Sequence, residues 1–231
     1  MNKNFKIVYY LILIILVTIF LINSFNIYKT IIKKDQVQVE AKVNDIVIKK
    51  KDIKYYQQKY NNQDIKGILK IDGLNINTLV VQTNDNEYYL NHLVNKQFNI
   101  LGSVFIDYRT KLNNSKKIII YGHSSNEYEI PFNNLHQLLQ KHNFQKYKYL
   151  ELQTNNETLK YELVSIKITN NNDHLKVNFE DNEWVEYLNS LTVDALYKND
   201  IEIKENMEVL ILQTCLLNEN NQFLIINYRK I

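Results

Sequence analysis

Val209-Leu-Ile-Leu-Gln-Thr-Cys215 is an apolar run of strand length that ends on the only cysteine of the 231-residue chain. Upstream, a second run of the same kind, Ile118-Ile-Ile-Tyr121, ends in Gly122-His123. Two strands that close on a thiol and an imidazole read as a nucleophile and its proton partner. The chemistry needs a thiolate, because the neutral thiol is a poor nucleophile. A nearby imidazole favours that thiolate and can later protonate a leaving amine. The competing reading is that a cysteine closing an apolar strand is a small core residue.

Working outward from these two runs, six more β-rich runs are present, so that the set comprises residues 68–71, 77–82, 103–106, 117–121, 147–152, 159–169, 208–214 and 223–228. Eight runs of strand length predict a mostly β (α+β) domain built as a closed barrel. Two amphipathic helices interrupt them. Phe132, Leu135 and Leu139 form one apolar stripe, and Trp184, Leu188, Leu191 and Ala195 form another just before the cysteine strand. Ahead of the barrel, Ile53, Tyr56 and Tyr60 recur at helical spacing and predict a short helix docked on it.

The N-terminal region is of a different kind. Residues 7–22 are apolar and uncharged, and with Phe5 and Phe25 the segment approaches the roughly 30 Å hydrocarbon thickness of a bilayer. A transmembrane helix is expected there. The sequence Leu21-Ile-Asn-Ser-Phe-Asn-Ile-Tyr28 lacks the small-x-small pattern of a cleaved signal peptide, which favours an uncleaved anchor. Residues 1–28 are therefore read as tail and anchor, 29–64 as stalk and docking helix, and 65–231 as the globular domain. Lysines flank the apolar segment on both sides, so local charge does not set its orientation. The first 34 residues hold five lysines and no acidic residue, leaving 23 basic against 25 acidic residues beyond them. That balance argues against nucleic acid as a partner. A lone cysteine also excludes an internal disulfide.

Four stretches in order carry a resemblance: Asn86-Glu-Tyr-Tyr-Leu-Asn91-His92, Leu101-Gly-Ser-Val-Phe-Ile-Asp107-Tyr108-Arg109, Tyr121-Gly-His-Ser124 and Leu212-Gln-Thr-Cys215. Together they resemble the sortase family, most closely its class B branch, from about Gly67 to the C-terminus. The resemblance implies an eight-stranded sortase-type barrel with flanking helices. It also implies transpeptidation. Cys215 would attack a carbonyl in the sorting motif of a secreted protein to give a thioacyl enzyme, His123 would protonate the departing amine, and an amine from a cell-wall precursor would resolve the thioester. It further implies a short cytoplasmic N-terminus, a single pass through the lipid bilayer, an extracellular catalytic domain and no metal or organic cofactor.

Residue by residue the match is uneven. Asn91 corresponds to a substrate-groove position of class B, and Thr214 precedes the nucleophile as the pattern expects, whereas Gln213 stands where serine is common. Sortases resemble one another in an arginine at the start of the strand after the cysteine loop. Aligning Phe223-Leu-Ile-Ile-Asn-Tyr228 with that strand puts Gln222 in the arginine's place, opposite the nucleophile. Arg229, the register alternative, falls some 23 Å along the strand. Arg109 reads as a structural partner of Asp107. His92, His136, His142 and His174 lack a strand-end placement and are read as structural. The departure at Gln222 keeps two alternatives open beside the transpeptidase: a sortase-like peptide-binding module of low activity, and a thiol hydrolase that cleaves peptides without transfer.

Overall fold

The computed structural model describes residues 3–41, 52–112, 114–219 and 221–231, and the chain divides into two compact units, residues 1–40 and 41–231. The first unit is helix α1 (Lys3–Ala41), 39 residues long. No glycine or proline interrupts those residues, so nothing in the backbone stops the helix. Its portion Leu11–Gln38 is long and apolar enough to cross a membrane. Leu13, Leu16, Phe20 and Phe25 are all exposed, and the helix is a candidate membrane span. The helix runs past residue 28, where the anchor was expected to end, and takes in the start of the expected stalk. The rest of that stalk, residues 42–51, lies outside the described residues.

The second unit is a closed β-barrel. Its strands are β1 (Ile65–Ile71), β2 (Ile76–Val81), β3 (Val104–Ile106), β4 (Lys117–Tyr121), β5 (Tyr149–Gln153), β6 (Thr158–Thr169), β7 (Tyr197–Lys198), β8 (Val209–Cys215) and β9 (Phe223–Lys230). The hydrogen-bonded order is β5-β1-β2-β3-β4-β8-β9-β6, and a β5–β6 pairing closes eight strands on themselves. The two-residue β7 is an addition on the edge of β6. Closure removes the free edges that an open sheet would expose. β4 and β8 run parallel, with Ile119 beside Ile211 and Tyr121 beside Gln213.

The apolar runs are continuous rather than alternating because both faces of these strands are covered. Ile118, Ile120, Leu210, Leu212, Leu224 and Ile226 point into the barrel core. Ile119, Val209, Ile211 and Ile225 point outward and are covered by Trp184, Leu188 and Leu191 of helix α4 (Asp181–Ser190) and the turn after it. Elsewhere on the outer face helix α2 (Ile53–Lys59) buries Ile53 and Tyr56 against Ile65, Ile68, Leu79 and Phe105. Asp52 caps α2 by accepting from the Tyr55 amide at 2.9 Å.

Two details of the helices differ from expectation. The segment Pro131–Leu139 is a 3₁₀ helix, whose three-residue period buries Phe132, Leu135 and Leu138, with Leu139 only packed at the margin. It is followed by the short α3 (Lys141–Lys146). Helix α4 ends at Ser190, so Ala195 lies beyond its stripe.

Candidate active site

The parallel register of β4 and β8 brings the two chemical residues together. Tyr121 pairs with Gln213, and the Gly122 amide extends the ladder by donating to the Gln213 carbonyl at 3.2 Å. His123 and Cys215 each lie two residues beyond that pair, so both emerge on the outer face of neighbouring strands spaced about 4.8 Å apart. They line one cavity of about 290 Å³ with Leu90, Phe105, Leu175 and Phe223. Gly122 is required by packing, because a Cβ there would lie 2.6 Å from the Phe132 ring. Gly102 has a positive φ of 56° and passes so close to the Tyr89 and Leu90 carbonyls that a side chain would collide with them.

Each member of the pair is held by specific bonds. His123 Nε2 donates to the Leu90 carbonyl at 2.8 Å, which leaves Nδ1 as the basic nitrogen of the neutral ring. Cys215 is a free thiol at the surface, and the walls of its cavity withdraw enough water to push its pKa above the ordinary value. Ser124 Oγ donates to the Cys215 carbonyl at 2.6 Å and ties the loop after β4 to the end of β8. The Leu217 amide donates to His136 Nε2 at 3.1 Å, and burial lowers the pKa of His136, which keeps that nitrogen an acceptor. These contacts fix the turn carrying the nucleophile from both sides. Ser124 stood within a quoted motif, but nothing local to the sequence indicates its bond to position 215.

A polar network lies beside the cavity. Asp107 is fully buried and accepts from Arg109 Nε at 2.9 Å and Nη2 at 2.7 Å, from Tyr121 Oη at 2.7 Å and from Asn86 Nδ2 at 3.0 Å. Burial alone raises its pKa, but Arg109, Tyr121 and Asn86 outweigh burial and hold the carboxyl below its usual value. Arg109 also donates to the Leu175 carbonyl at 2.9 Å. His174 Nε2 meets Gln213 Oε1 at 2.7 Å, and burial lowers the pKa of that histidine. Lys117 is buried on the outer face of β4. Its ammonium donates to the carbonyls of His174 at 2.7 Å and Lys176 at 2.8 Å, and lies 3.9 Å from the centre of the Tyr187 ring. Burial, reinforced by the charge of Arg109, pulls its pKa down to about 7.

Other residues expected at the site lie elsewhere. Gln222 does not face Cys215. The cross-strand partner of Cys215 is Phe223, and Gln222 stands one step further on, with its carbonyl accepting from the Leu216 amide at 2.8 Å. Its side chain borders a second cavity, of about 460 Å³, together with Lys167, His174 and Asn227. The reason is register: the β8–β9 hairpin places an aromatic ring where the alignment anticipated the amide. Arg229 pairs with Val209 at the far end of β8 and is bonded to Glu162 at 2.9 and 2.6 Å. Six residues of strand, about 20 Å, separate that level from Cys215. Asn91 is exposed at the end of the 3₁₀ turn Tyr88–Leu90, and Leu90 and Asn86 line the cavity in its stead. Thr214 contributes to the cavity wall, with its hydroxyl buried. His92 stacks on Tyr88 at 4.0 Å and donates to the Tyr88 carbonyl.

A family model for the sortase domain matches residues 69–230, and it contains both strand ends described above. The chain belongs to the sortase family. It is class B-like within that family. Sortase B of Staphylococcus aureus (strain NCTC 8325 / PS 47) is 28% identical over 159 residues, which are 67% of this chain and 64% of that protein. The aligned part of this sortase thus spans less than two thirds of that relative's length. The crystal structure of Clostridium perfringens sortase B is 28% identical, with a TM-score of 0.71 covering 77% of this chain and 98% of the other. A Staphylococcus aureus sortase B–substrate complex shares the fold, with a TM-score of 0.70 at 22% identity over 78% of this chain and 84% of the other.

Proposed function

We propose that this sortase is a membrane-anchored cysteine transpeptidase that cuts a sorting motif in secreted proteins and transfers the acyl fragment to a cell-wall amine. One observation carries the reading: the parallel β4–β8 register delivers His123 and Cys215 to a single, largely apolar cavity. In this reading α1 is the anchor, and the barrel stands outside the cell. The Staphylococcus aureus sortase B–substrate complex, whose fold is shared, supports a substrate bound to this barrel.

Cys215 gives its thiol proton to His123, and the thiolate so formed attacks a peptide carbonyl carbon and forms the C–S bond. The carbonyl electrons move to oxygen, and the tetrahedral oxyanion collapses by breaking the C–N bond. The departing amine takes a proton from the imidazolium of His123. An incoming amine then attacks the thioester, gives its proton to His123 and releases Cys215 as thiolate, which completes the exchange of one amide for another. The leaving proton and the returning proton pass through the same ring.

A second reading has its own support. Among the described residues no guanidinium lines the cavity, because Arg109 is bonded to Asp107 and Leu175 and Arg229 to Glu162. Loss of one oxyanion donor costs about 10²–10³ in turnover, so a peptide-binding module of low activity is the alternative. Incubating the full chain in detergent with a panel of sorting-motif peptides, with and without triglycine as an unactivated amine acceptor, separates the cases. A product joined to triglycine establishes transfer and a free acid alone, with triglycine present, indicates a hydrolase. Peptide binding without either product leaves the binding module.

A further inference from the structure

Three consecutive backbone carbonyls, those of His174, Leu175 and Lys176, are each gripped by a cation from the barrel: Lys117 takes the first and third, and Arg109 takes the second. This run belongs to the connection between β6 and α4, which has no strand partner of its own at that point. It holds a short 3₁₀ turn, Asp173–Leu175, too brief to be stable alone. Yet its side chains do two things at the cavity. Leu175 forms part of the wall facing Cys215 and His123, and His174 bonds Gln213, two residues before the nucleophile.

We propose that Lys117 and Arg109 are positioning residues that lock the 174–176 segment in place as the fixed apolar wall of the Cys215 cavity. The anchoring is deep on the barrel side. Lys117 is 1% exposed, with its ammonium between the two carbonyls and under the Tyr187 and Phe179 rings. Arg109 is itself fixed by both oxygens of the buried Asp107. A lysine with three donors on a flexible stem suits two divergent carbonyls, and a planar guanidinium suits one carboxylate with a donor to spare. Neither cation lines the cavity, so each acts through the backbone it holds. The inference rests on the reading of this cavity as the place where the acyl substrate sits, and it adds to that reading what fixes the substrate-facing wall.

The test uses two alkylating reagents with the same reacting group, iodoacetamide and N-benzyl iodoacetamide, on the full chain in detergent. Only the second carries an apolar arm that the Leu175 wall can seat. Wild-type protein is expected to show saturable labelling of Cys215 by the benzyl reagent. Lys117→Met keeps the stem and removes the donors. It should raise the half-saturating concentration about tenfold, the scale of one lost apolar contact, with the maximal rate and the iodoacetamide rate within twofold. Hydrogen exchange of the Lys176 and Val177 amides should quicken at least tenfold while those of β8 stay protected. Arg109→Lys, which can still reach a carbonyl, should fall between. If Lys117→Met does not fold, Leu175→Ala, which leaves both cations in place, must reproduce the same loss of saturation. An unchanged half-saturating concentration in folded Lys117→Met or in Leu175→Ala overturns the proposal. Since labelling requires no acyl transfer, a failure here is distinct from a failure of the transpeptidase reading.

Discussion

Replacing Asp107 by asparagine tests the network beside the site in a way that can be worked through. The Oδ2 atom of Asp107 accepts three bonds, from Arg109 Nη2, Tyr121 Oη and Asn86 Nδ2, and Oδ1 accepts two, from Arg109 Nε and the Arg109 amide. An asparagine supplies one acceptor oxygen and one NH2 group. Whichever way the amide is turned, at least two donors then face a donor. Each lost bond to a charged acceptor is worth about 1.5–3 kcal/mol. The Arg109 side chain, 35% exposed, regains part of its share from water. A net loss of about 3 kcal/mol at pH 7 is expected, at the low end of the range for breaking a buried pair. The sign with pH follows from the lowered pKa of Asp107. Its contribution is present above the unfolded value of about 3.9 and is lost as pH falls through the folded value. Urea unfolding followed by the fluorescence of Trp184, the sole tryptophan, measures both. A loss below about 1 kcal/mol at pH 7, or a gap that stays constant into the acid range, refutes the reasoning.

Arg229→Ala removes a part-exposed pair with Glu162 at the far end of β9, and should leave peptide cleavage within about threefold and stability within about 1 kcal/mol; abolished cleavage in a folded variant would return a catalytic role to that arginine. Alkylation of Cys215 by iodoacetamide should accelerate with pH to a midpoint above about 8.5, the free-thiol value, because burial raises the thiol's pKa, and a midpoint below 8 contradicts this. Lys117 has a folded pKa near 7, below its unfolded value, so the folded state binds fewer protons between those limits and its contribution to stability rises with pH there. The stability of the wild type relative to Lys117→Met should therefore climb by about 2 kcal/mol between pH 7 and 9. A flat difference would show that the two carbonyls and the Tyr187 ring keep the lysine charged throughout.

Much of the barrel is legible in the sequence because its strands are apolar on both faces, and a short unbroken run such as Ile118-Ile-Ile leaves little else to be. The strand-end placement of His123 and Cys215 is legible for the same reason. Their adjacency is not, since it depends on β4 and β8 pairing in parallel across nearly a hundred residues. The part of the site built from distant partners is equally hidden. Lys117 reads as a polar residue opening a strand, and only the fold puts the carbonyls of His174 and Lys176 over its amine. Alignment puts Gln222 opposite the nucleophile, but the β8–β9 register puts Phe223 there. The spacing of Phe132, Leu135 and Leu139 fits an α-helix, whereas the 3₁₀ period selects Leu138 in place of Leu139, and the Pro131 start does not distinguish the two.

The claim that Cys215 and His123 form one reacting pair is tested most directly by mass spectrometry of the full chain after incubation with sorting-motif peptides in the absence of an acceptor amine. The account predicts a hydroxylamine-labile thioester confined to Cys215, absent in Cys215→Ala and formed at least 10²-fold more slowly in His123→Ala. Peptide cleavage that persists in Cys215→Ala, or a thioester that forms as fast without His123, would contradict it.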